Sequence, residues 1–304
     1  MNSTVGISVI IVNYNTRELL RNCLRSVFEK TEGVSFEVIV SDNGSEDGSI
    51  EMVKQEFPQV VLLENRANLG FGTGNNRGLD VARGEYIFYL NSDTLLLNNV
   101  LKIFYDYWNS HAEENLGVLG CNLMGPDNCL TESHGKFPQA GKLVKAMAHH
   151  LAAFGVKNVM RFLHMDYSKL RPRPKYERFI GDVEYVVGAD MFMKNSPAAR
   201  FDENFFLYFE ETDLQWRLSL QGQRRVLIDG PEIVHLVQGG KRPDDIVRYG
   251  SFSMIQSEIS KVRYTKKNLS RLASFLLKGM IFVHWLSPYI FKKTRKYFGI
   301  LWRV

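Results

Sequence analysis

Acidic and amide side chains in this sequence recur where apolar runs stop. Tyr86-Ile-Phe-Tyr-Leu90 ends abruptly at Asn91-Ser-Asp93. An unbroken apolar run reads as a strand covered on both faces, and open α/β sheets bind ligands outside the carboxyl ends of such strands. Asp93 is therefore a candidate ligand for a hard divalent cation, which takes oxygen donors and can bridge to a pyrophosphate. The same Asn-x-Asp is also an ordinary turn, because both side chains bond their own backbone. Asp42 follows Phe36-Glu-Val-Ile-Val40 inside Ser41-Asp-Asn-Gly-Ser45. Its carboxylate is placed to accept hydrogen bonds from a base or ribose, or to close a turn ahead of a helix. Glu210-Glu-Thr-Asp213 opens a helix-patterned stretch. A carboxylate at a helix N-terminus stays ionised at neutral pH, as a general base must. The structural alternative is helix capping, with Asp213 and Arg217 as an i, i+4 ion pair.

Positioning these groups takes alternating strands and helices. Ile7–Val12, Phe36–Val40, Val60–Leu63 and Tyr86–Leu90 read as strands. The helix after Thr16, a candidate cap, carries Leu19, Leu20, Cys23, Leu24, Val27 and Phe28 at helical spacing. Further helices are expected over 50–57 and within 68–83. Such alternation implies right-handed crossovers and a mostly parallel, Rossmann-like sheet flanked by helices. Later, Val183–Val187, Arg225–Ile228 and Ile233–Leu236 read as strands and 211–221 as a helix bearing Trp216. Gly70-Phe-Gly-Thr-Gly74 is neither the dinucleotide fingerprint, since Asn75 stands in place of the third glycine, nor a phosphate-binding P-loop. That argues against a dehydrogenase or a P-loop enzyme.

The chain's 304 residues, 45% hydrophobic and 23% charged, suit a globular protein of one or two domains. Cys23, Cys121 and Cys129 are odd in number and lack metal-type spacing, which predicts a reducing compartment. The start, Met-Asn-Ser-Thr-Val-Gly, has neither a basic region nor a cleavable apolar segment, so no secretory signal is expected. Nor does any run reach the roughly 18 apolar residues of a membrane span.

The net charge of +5 is unevenly placed. After Glu258 come eleven Lys or Arg and no acid, leaving 27 basic against 33 acidic residues elsewhere. In this tail Leu272, Phe275, Leu276, Met280 and Val283 recur at helical spacing, widened by Ile281, Phe282 and Trp285. After Pro288, basic and aromatic residues alternate from Lys292 to Trp302. The pattern predicts an amphipathic helix on an anionic membrane surface. Packing against the body, or against a second copy in a homodimer, is the alternative. The acidic body disfavours nucleic acid.

Four blocks, Ile7–Thr16, Val40–Ser49, Asn68–Thr94 and Phe201–Leu218, stand in the order found in family 2 glycosyltransferases. Over roughly residues 7 to 236 the chain resembles that family, nearest to bacterial rhamnosyltransferase-like members. The resemblance implies an α/β GT-A fold and inverting transfer from a nucleotide-diphosphate sugar, dTDP-rhamnose or a UDP-hexose. The implied acceptor is a glycan or lipid-linked glycan of the bacterial cell surface. A non-catalytic nucleotide-sugar-binding scaffold and a nucleotidyltransferase are the rivals.

By resemblance, Asn13, Tyr14, Asn15 and Asp42 line a nucleoside pocket. Gly70 allows close approach to the donor, with Asn75 or Asn76 reaching the nucleotide. Asp93 and His235 ligate Mg2+ or Mn2+, and Asn91, standing where the family has Asp, contacts ribose or a phosphate-bound water. Without the family context His235 would read as a core histidine. Glu211 takes the base position, with Asp213 as runner-up. Gly188, Ala189, Asp190, Glu210, Trp216 and Arg217 fall on the sugar and acceptor side. Residues 1–265 are then the catalytic domain: 1–105 as nucleotide-binding half, 130–177 as a basic helical excursion and 180–240 as acceptor half. Residues 266–304 form the membrane-associating tail, which implies a cytoplasmic protein on the inner face of the cell membrane.

Overall fold

The computed structural model describes residues 5–162, 175–236 and 251–304. The Pro-rich segment Arg171-Pro-Arg-Pro174 lies outside them. Two compact units divide the chain: Met1–Phe137 with Tyr176–Ile246, and Pro138–Lys175 with Val247–Val304.

The first unit opens with β1 (Ile7–Asn13), α1 (Arg17–Lys30), β2 (Phe36–Asp42), α2 (Ser49–Glu56) and β3 (Val61–Glu64). There follow α3 (Phe71–Leu79), β4 (Tyr86–Leu90), β5 (Thr94–Leu96), α4 (Val100–Ser110), β6 (Leu116–Cys121) and β7 (His134–Gly135). The second unit contributes α5 (Ala140–Phe162), after which the first resumes with β8 (Gly181–Asp182), β9 (Tyr185–Val186) and β10 (Asp190–Lys194). It closes with α6 (Glu210–Leu220), β11 (Arg224–Ile228) and β12 (Ile233–His235). Eight strands form one sheet in the order β3-β2-β1-β4-β10-β6-β11-β8. The first four are parallel, β10 runs against both β4 and β6, and β11 is parallel to β6. The chain leaves β1 for β2 on one side and β4 lies on the other, so the order reverses at β1, where α/β sheets hold their ligands.

All five residues of β4 are buried, as its uninterrupted apolar sequence requires. Tyr86, Phe88 and Leu90 join Phe104, Trp108 and Phe192 on one face, while Ile87 and Tyr89 join Met191, Phe201 and Leu214 on the other. Two expectations change here. Thr16 does not cap α1. Its hydroxyl donates to Asn13 Oδ1 at 2.6 Å, while Asp47 Oδ2 takes the Arg17 N–H at 2.8 Å. The strand expected over 183–187 shrinks to Tyr185–Val186. The Gln215 side chain occupies both backbone groups of Val186, accepting from its N–H at 2.8 Å and donating to its carbonyl at 2.7 Å.

In the second unit α5 packs with α7 (Phe252–Tyr264) and α8 (Arg271–Trp285). Leu143, Met147 and Leu151 of α5 meet Ile255 and Ile259 of α7 and Leu277, Ile281 and Trp285 of α8 in one cluster. This apolar seam groups the excursion with the C-terminal helices, whereas a single domain to residue 265 was expected. The tail helix also divides its apolar residues differently. Ala273, Leu277, Ile281 and Trp285 face inward, and Leu272, Phe275, Leu276 and Val283 are exposed.

Candidate active site

The nucleoside-side residues gather at the carboxyl ends of β1 and β2, where Asn13 is in register with Asp42. Asp42 is buried and its oxygens are engaged. Oδ1 accepts the backbone N–H groups of Gly44 at 3.0 Å and Ser45 at 2.7 Å, and Oδ2 accepts Asn13 Nδ2 at 2.8 Å. Asn13 is likewise buried, donating also to Ser45 Oγ at 3.0 Å. Both side chains therefore build the rim, which is the turn reading of this motif. Tyr14, 47% exposed, and Asn15, left-handed at φ 53°, stand out from that rim. Asn15 Oδ1 accepts the Glu46 N–H at 2.8 Å.

The glycine-rich segment serves the protein interior. Gly70, at φ 87°, lies so close to the Phe206 carbonyl that a Cβ would overlap it, and Phe71 N–H donates to that carbonyl at 2.9 Å. Gly78 is pressed against Ile10 of β1 in the same way. Asn76 donates to the Phe201 carbonyl and Glu203 Oε1, both at 3.0 Å, and accepts the Phe201 N–H at 2.9 Å. Asn75 is buried and donates to the Phe71 carbonyl at 3.1 Å. Gly70, Asn75 and Asn76, expected on the nucleotide side, also make contacts within the protein that pack α3 onto β1 and the 201–206 segment.

Beyond β4 the geometry favours a cation site. Asn91 is fixed through its backbone, its N–H donating to the Ala189 carbonyl at 3.1 Å, while its own carbonyl accepts Thr94 Oγ1 at 2.8 Å. This leaves Asp93 beside β5. Pairing of β5 with β12 sets His235 opposite Thr94, and Leu236 N–H donates to the Asp93 carbonyl at 2.8 Å. His235 Nε2 thereby lies 3.3 Å from Asp93 Oδ1, with both side chains partly exposed. Two donors each about 2.1 Å from one ion stand 3–4 Å apart, so this pair fits a shared cation. A mixed carboxylate and imidazole set suits Mn2+ at least as well as Mg2+.

The third group surrounds the start of α6. Tyr208 and Phe209, at φ 67° and 69°, are both left-handed. Consecutive non-glycine residues in that region are strained and cluster at functional sites. Their turn brings Glu210 inward, where it is 3% exposed, and leaves Glu211 partly exposed. Burial, then the neighbouring Glu211 charge, holds the Glu210 carboxyl well above the ordinary range. Burial raises that of Glu211 also, against hydrogen bonds from Thr212, with Glu132 adding repulsion. Of the two, Glu211 is the one that reaches solvent. Gly188 lies against Glu211: a Cβ there would sit 3.4 Å from the Glu211 Cβ.

The remaining residues expected on the acceptor side make contacts within the protein. Asp213 is fully buried and pairs with Arg217 Nε at 3.2 Å, while Arg217 also donates to the Arg200 carbonyl at 2.7 Å. Asp213, the runner-up base in the sequence, is thus an internal ion-pair partner of Arg217. Trp216 packs edge-on against Phe137 at 5.0 Å. Ala189 is buried, lending its carbonyl to Asn91. Asp190, expected on the sugar side, is fully buried and accepts the Cys121 N–H at 2.8 Å, and burial pushes its carboxyl up to about 8. Two neighbours of Glu211 were not foreseen, Glu132 and Tyr185, whose hydroxyl burial and these carboxylates raise. Neither carries a motif; the strained Tyr208-Phe209 pair gave no compositional signal either.

Residues 8–136 match the family model described as Glycosyl transferase family 2. Over those residues the chain is similar to family 2 glycosyltransferases. It is 35% identical over 137 residues to the uncharacterised glycosyltransferase YibD of Escherichia coli, covering 44% of this chain and 37% of that one. It is 27% identical over 242 residues to the N-acetylglucosaminyl-diphospho-decaprenol L-rhamnosyltransferase of Mycobacterium tuberculosis, covering 75% of each. With the first two curated relatives the alignment spans only 37% and 29% of their length. Among solved structures, the mannosyltransferase PcManGT of Pyrobaculum calidifontis, in complex with GDP-Man and Mn2+, superposes at TM-score 0.55 and 15% identity over 97% of this chain and 74% of that one. TarS of S. aureus does so at TM-score 0.55 and 16% identity over 93% and 44%. These likenesses bear out the expected GT-A fold.

Proposed function

We propose that this chain is an inverting, metal-dependent glycosyltransferase that moves a sugar from a nucleotide-diphosphate donor, dTDP-rhamnose or a UDP-hexose, to a glycan or lipid-linked glycan. The observation that carries the reading is the meeting of Asp93 and His235 at the carboxyl edge of the sheet. These two residues would hold Mg2+ or Mn2+. A divalent ion there supplies charge neutralisation to the departing nucleoside diphosphate. Tyr14 and Asn15, on the exposed rim beside Asp42, contact the nucleoside. Glu211 takes the proton of the acceptor hydroxyl as that oxygen attacks the anomeric carbon from the face opposite the leaving group. Gly188 leaves the space in which the acceptor oxygen approaches Glu211.

A lipid-linked acceptor is supported by the Mycobacterium tuberculosis relative, whose name includes a diphospho-decaprenol, and a nucleotide-sugar donor by the neighbours solved with GDP-Man and with UDP-GlcNAc. The inner face of an anionic membrane fits such an acceptor and the basic C-terminal region. The test is release of nucleoside diphosphate from dTDP-rhamnose, UDP-glucose, UDP-galactose and UDP-GlcNAc, with Mn2+ or Mg2+ and with chelator. One donor should turn over only with metal. Glu211→Gln should lower that rate by about 10²–10⁴-fold while donor binding persists, and Asp93→Ala should remove the metal response. Turnover unchanged in both variants would sink the assignment.

A further inference from the structure

The second unit contains a side-chain cluster that the transfer chemistry does not use. His150 of α5, Glu258 of α7 and His284 of α8 each offer one ligand atom, all within 4.8 Å of one another. Glu258 is 5% and His284 1% exposed. We propose that these three side chains form a binding site for a Zn2+-class transition-metal ion that cross-links the three helices.

Helix geometry brings the ligands together. His150 sits three residues beyond Met147 and four before Phe154, on the face of α5 that packs inward. His284 follows Leu277 and Ile281 along the buried face of α8, and Glu258 precedes Ile259 on that of α7. His284 Nδ1 lies 3.1 Å from Glu258 Oε1, and the rings of His150 and His284 meet edge-on with centroids 4.9 Å apart. Ligands of a tetrahedral ion with bonds of about 2.0–2.1 Å stand about 3.3 Å apart. The Glu258–His284 pair already meets that spacing, and the His150 ligand atom lies within 4.8 Å of both. The Trp285 indole N–H donates to Glu258 Oε2 at 2.6 Å. That orients the carboxylate as an outer partner does in metal centres, leaving Oε1 toward the histidines. Phe154, edge-on to His284 at 4.7 Å, supplies an apolar wall. Two imidazoles with one carboxylate select Zn2+ or its borderline neighbours over Mg2+. Three protein ligands leave a fourth position for water.

The full chain is the material for the test, with Asp93→Ala and His235→Ala combined so that the first unit's pair contributes nothing. After loading with Zn2+ and dialysis, this variant should retain one equivalent by elemental analysis, and Zn2+ should raise its Tm. Adding His150→Ala should abolish both effects while the circular dichroism spectrum is kept. Glu258→Gln, which preserves a partner for Trp285, should weaken retention at least about tenfold. Co2+ should give the visible absorption of a tetrahedral site in the parent and none after His150→Ala. Retention below a tenth of an equivalent, or retention that His150→Ala leaves intact, overturns the proposal and makes the cluster a purely protein network.

Discussion

Glu211 illustrates how one position sets a pH dependence. Its carboxyl is raised by burial first and Glu132 second, so it ionises above the ordinary glutamate value of about 4.3. The acid limb of kcat/KM should therefore fall at higher pH than for an exposed glutamate, and Glu211→Gln should remove the limb with the activity. A rate profile from pH 4 to 8 measures this; a limb at or below the ordinary value refutes the base assignment. Asp190 makes the matching prediction for stability. Folded, it holds its proton up to about pH 8, whereas unfolded it releases it near 4. The unfolded state thus binds fewer protons between these values, so the contribution of Asp190 to stability is full below pH 4 and declines as pH rises to 8. Asp190→Asn keeps an acceptor for the Cys121 N–H and cannot ionise. It should flatten that decline and raise stability by about 1–3 kcal/mol at pH 8, read by urea unfolding at pH 5 and pH 8.

Elements decide which motif residues reach a site. Asp93 was a candidate in the sequence because it follows an apolar run, and strand ends present their next residues at the sheet edge, whereas His235 was singled out only by the family resemblance. Their 3.3 Å approach depends on β5 pairing with β12, a contact that no local pattern encodes. Asn76 and Asp213 had equally suggestive spacing, yet one ties α3 to the Phe201 backbone and the other pairs with Arg217. Polar residue type announces a hydrogen bond without saying whether the partner is a ligand or the protein itself. Gly70 tests this argument. It holds the Phe206 carbonyl within reach of Phe71 N–H, so it anchors the segment that delivers the strained Tyr208-Phe209 turn and Glu211. Gly70→Ala should cost about 1–3 kcal/mol through its left-handed backbone, and more through overlap with that carbonyl. Transfer should fall more than donor affinity, because the displaced group is the proposed base; a variant of wild-type Tm and rate would contradict this role for α3.

At the scale of the whole molecule, charge and apolar surface are concentrated together. Of the described residues, no helix is long and apolar enough to cross a membrane. Yet α8 is apolar on its outer face as well as its inner one: Leu272, Phe275, Leu276, Val283 and Leu286 are 46–70% exposed. At 100° per residue they form a stripe about 100° wide, and Trp302, 68% exposed, adds an aromatic ring. Water-facing apolar rows of this kind mark an interaction surface. Eleven basic residues and no acid follow Glu258, which favours an anionic bilayer as the occupant. Burying the stripe then contributes through area, at about 25 cal/mol per Å², and the Lys and Arg side chains through screened attraction. The two contributions separate experimentally. Phe275→Ser with Leu276→Ser should lower co-sedimentation with phosphatidylglycerol vesicles at every salt concentration. Lys292→Gln with Lys293→Gln should lower it at low salt and converge with wild type in 0.5 M NaCl. Self-association of the wild-type chain without vesicles, abolished by the Phe275/Leu276 pair of substitutions, would instead assign the stripe to a second copy.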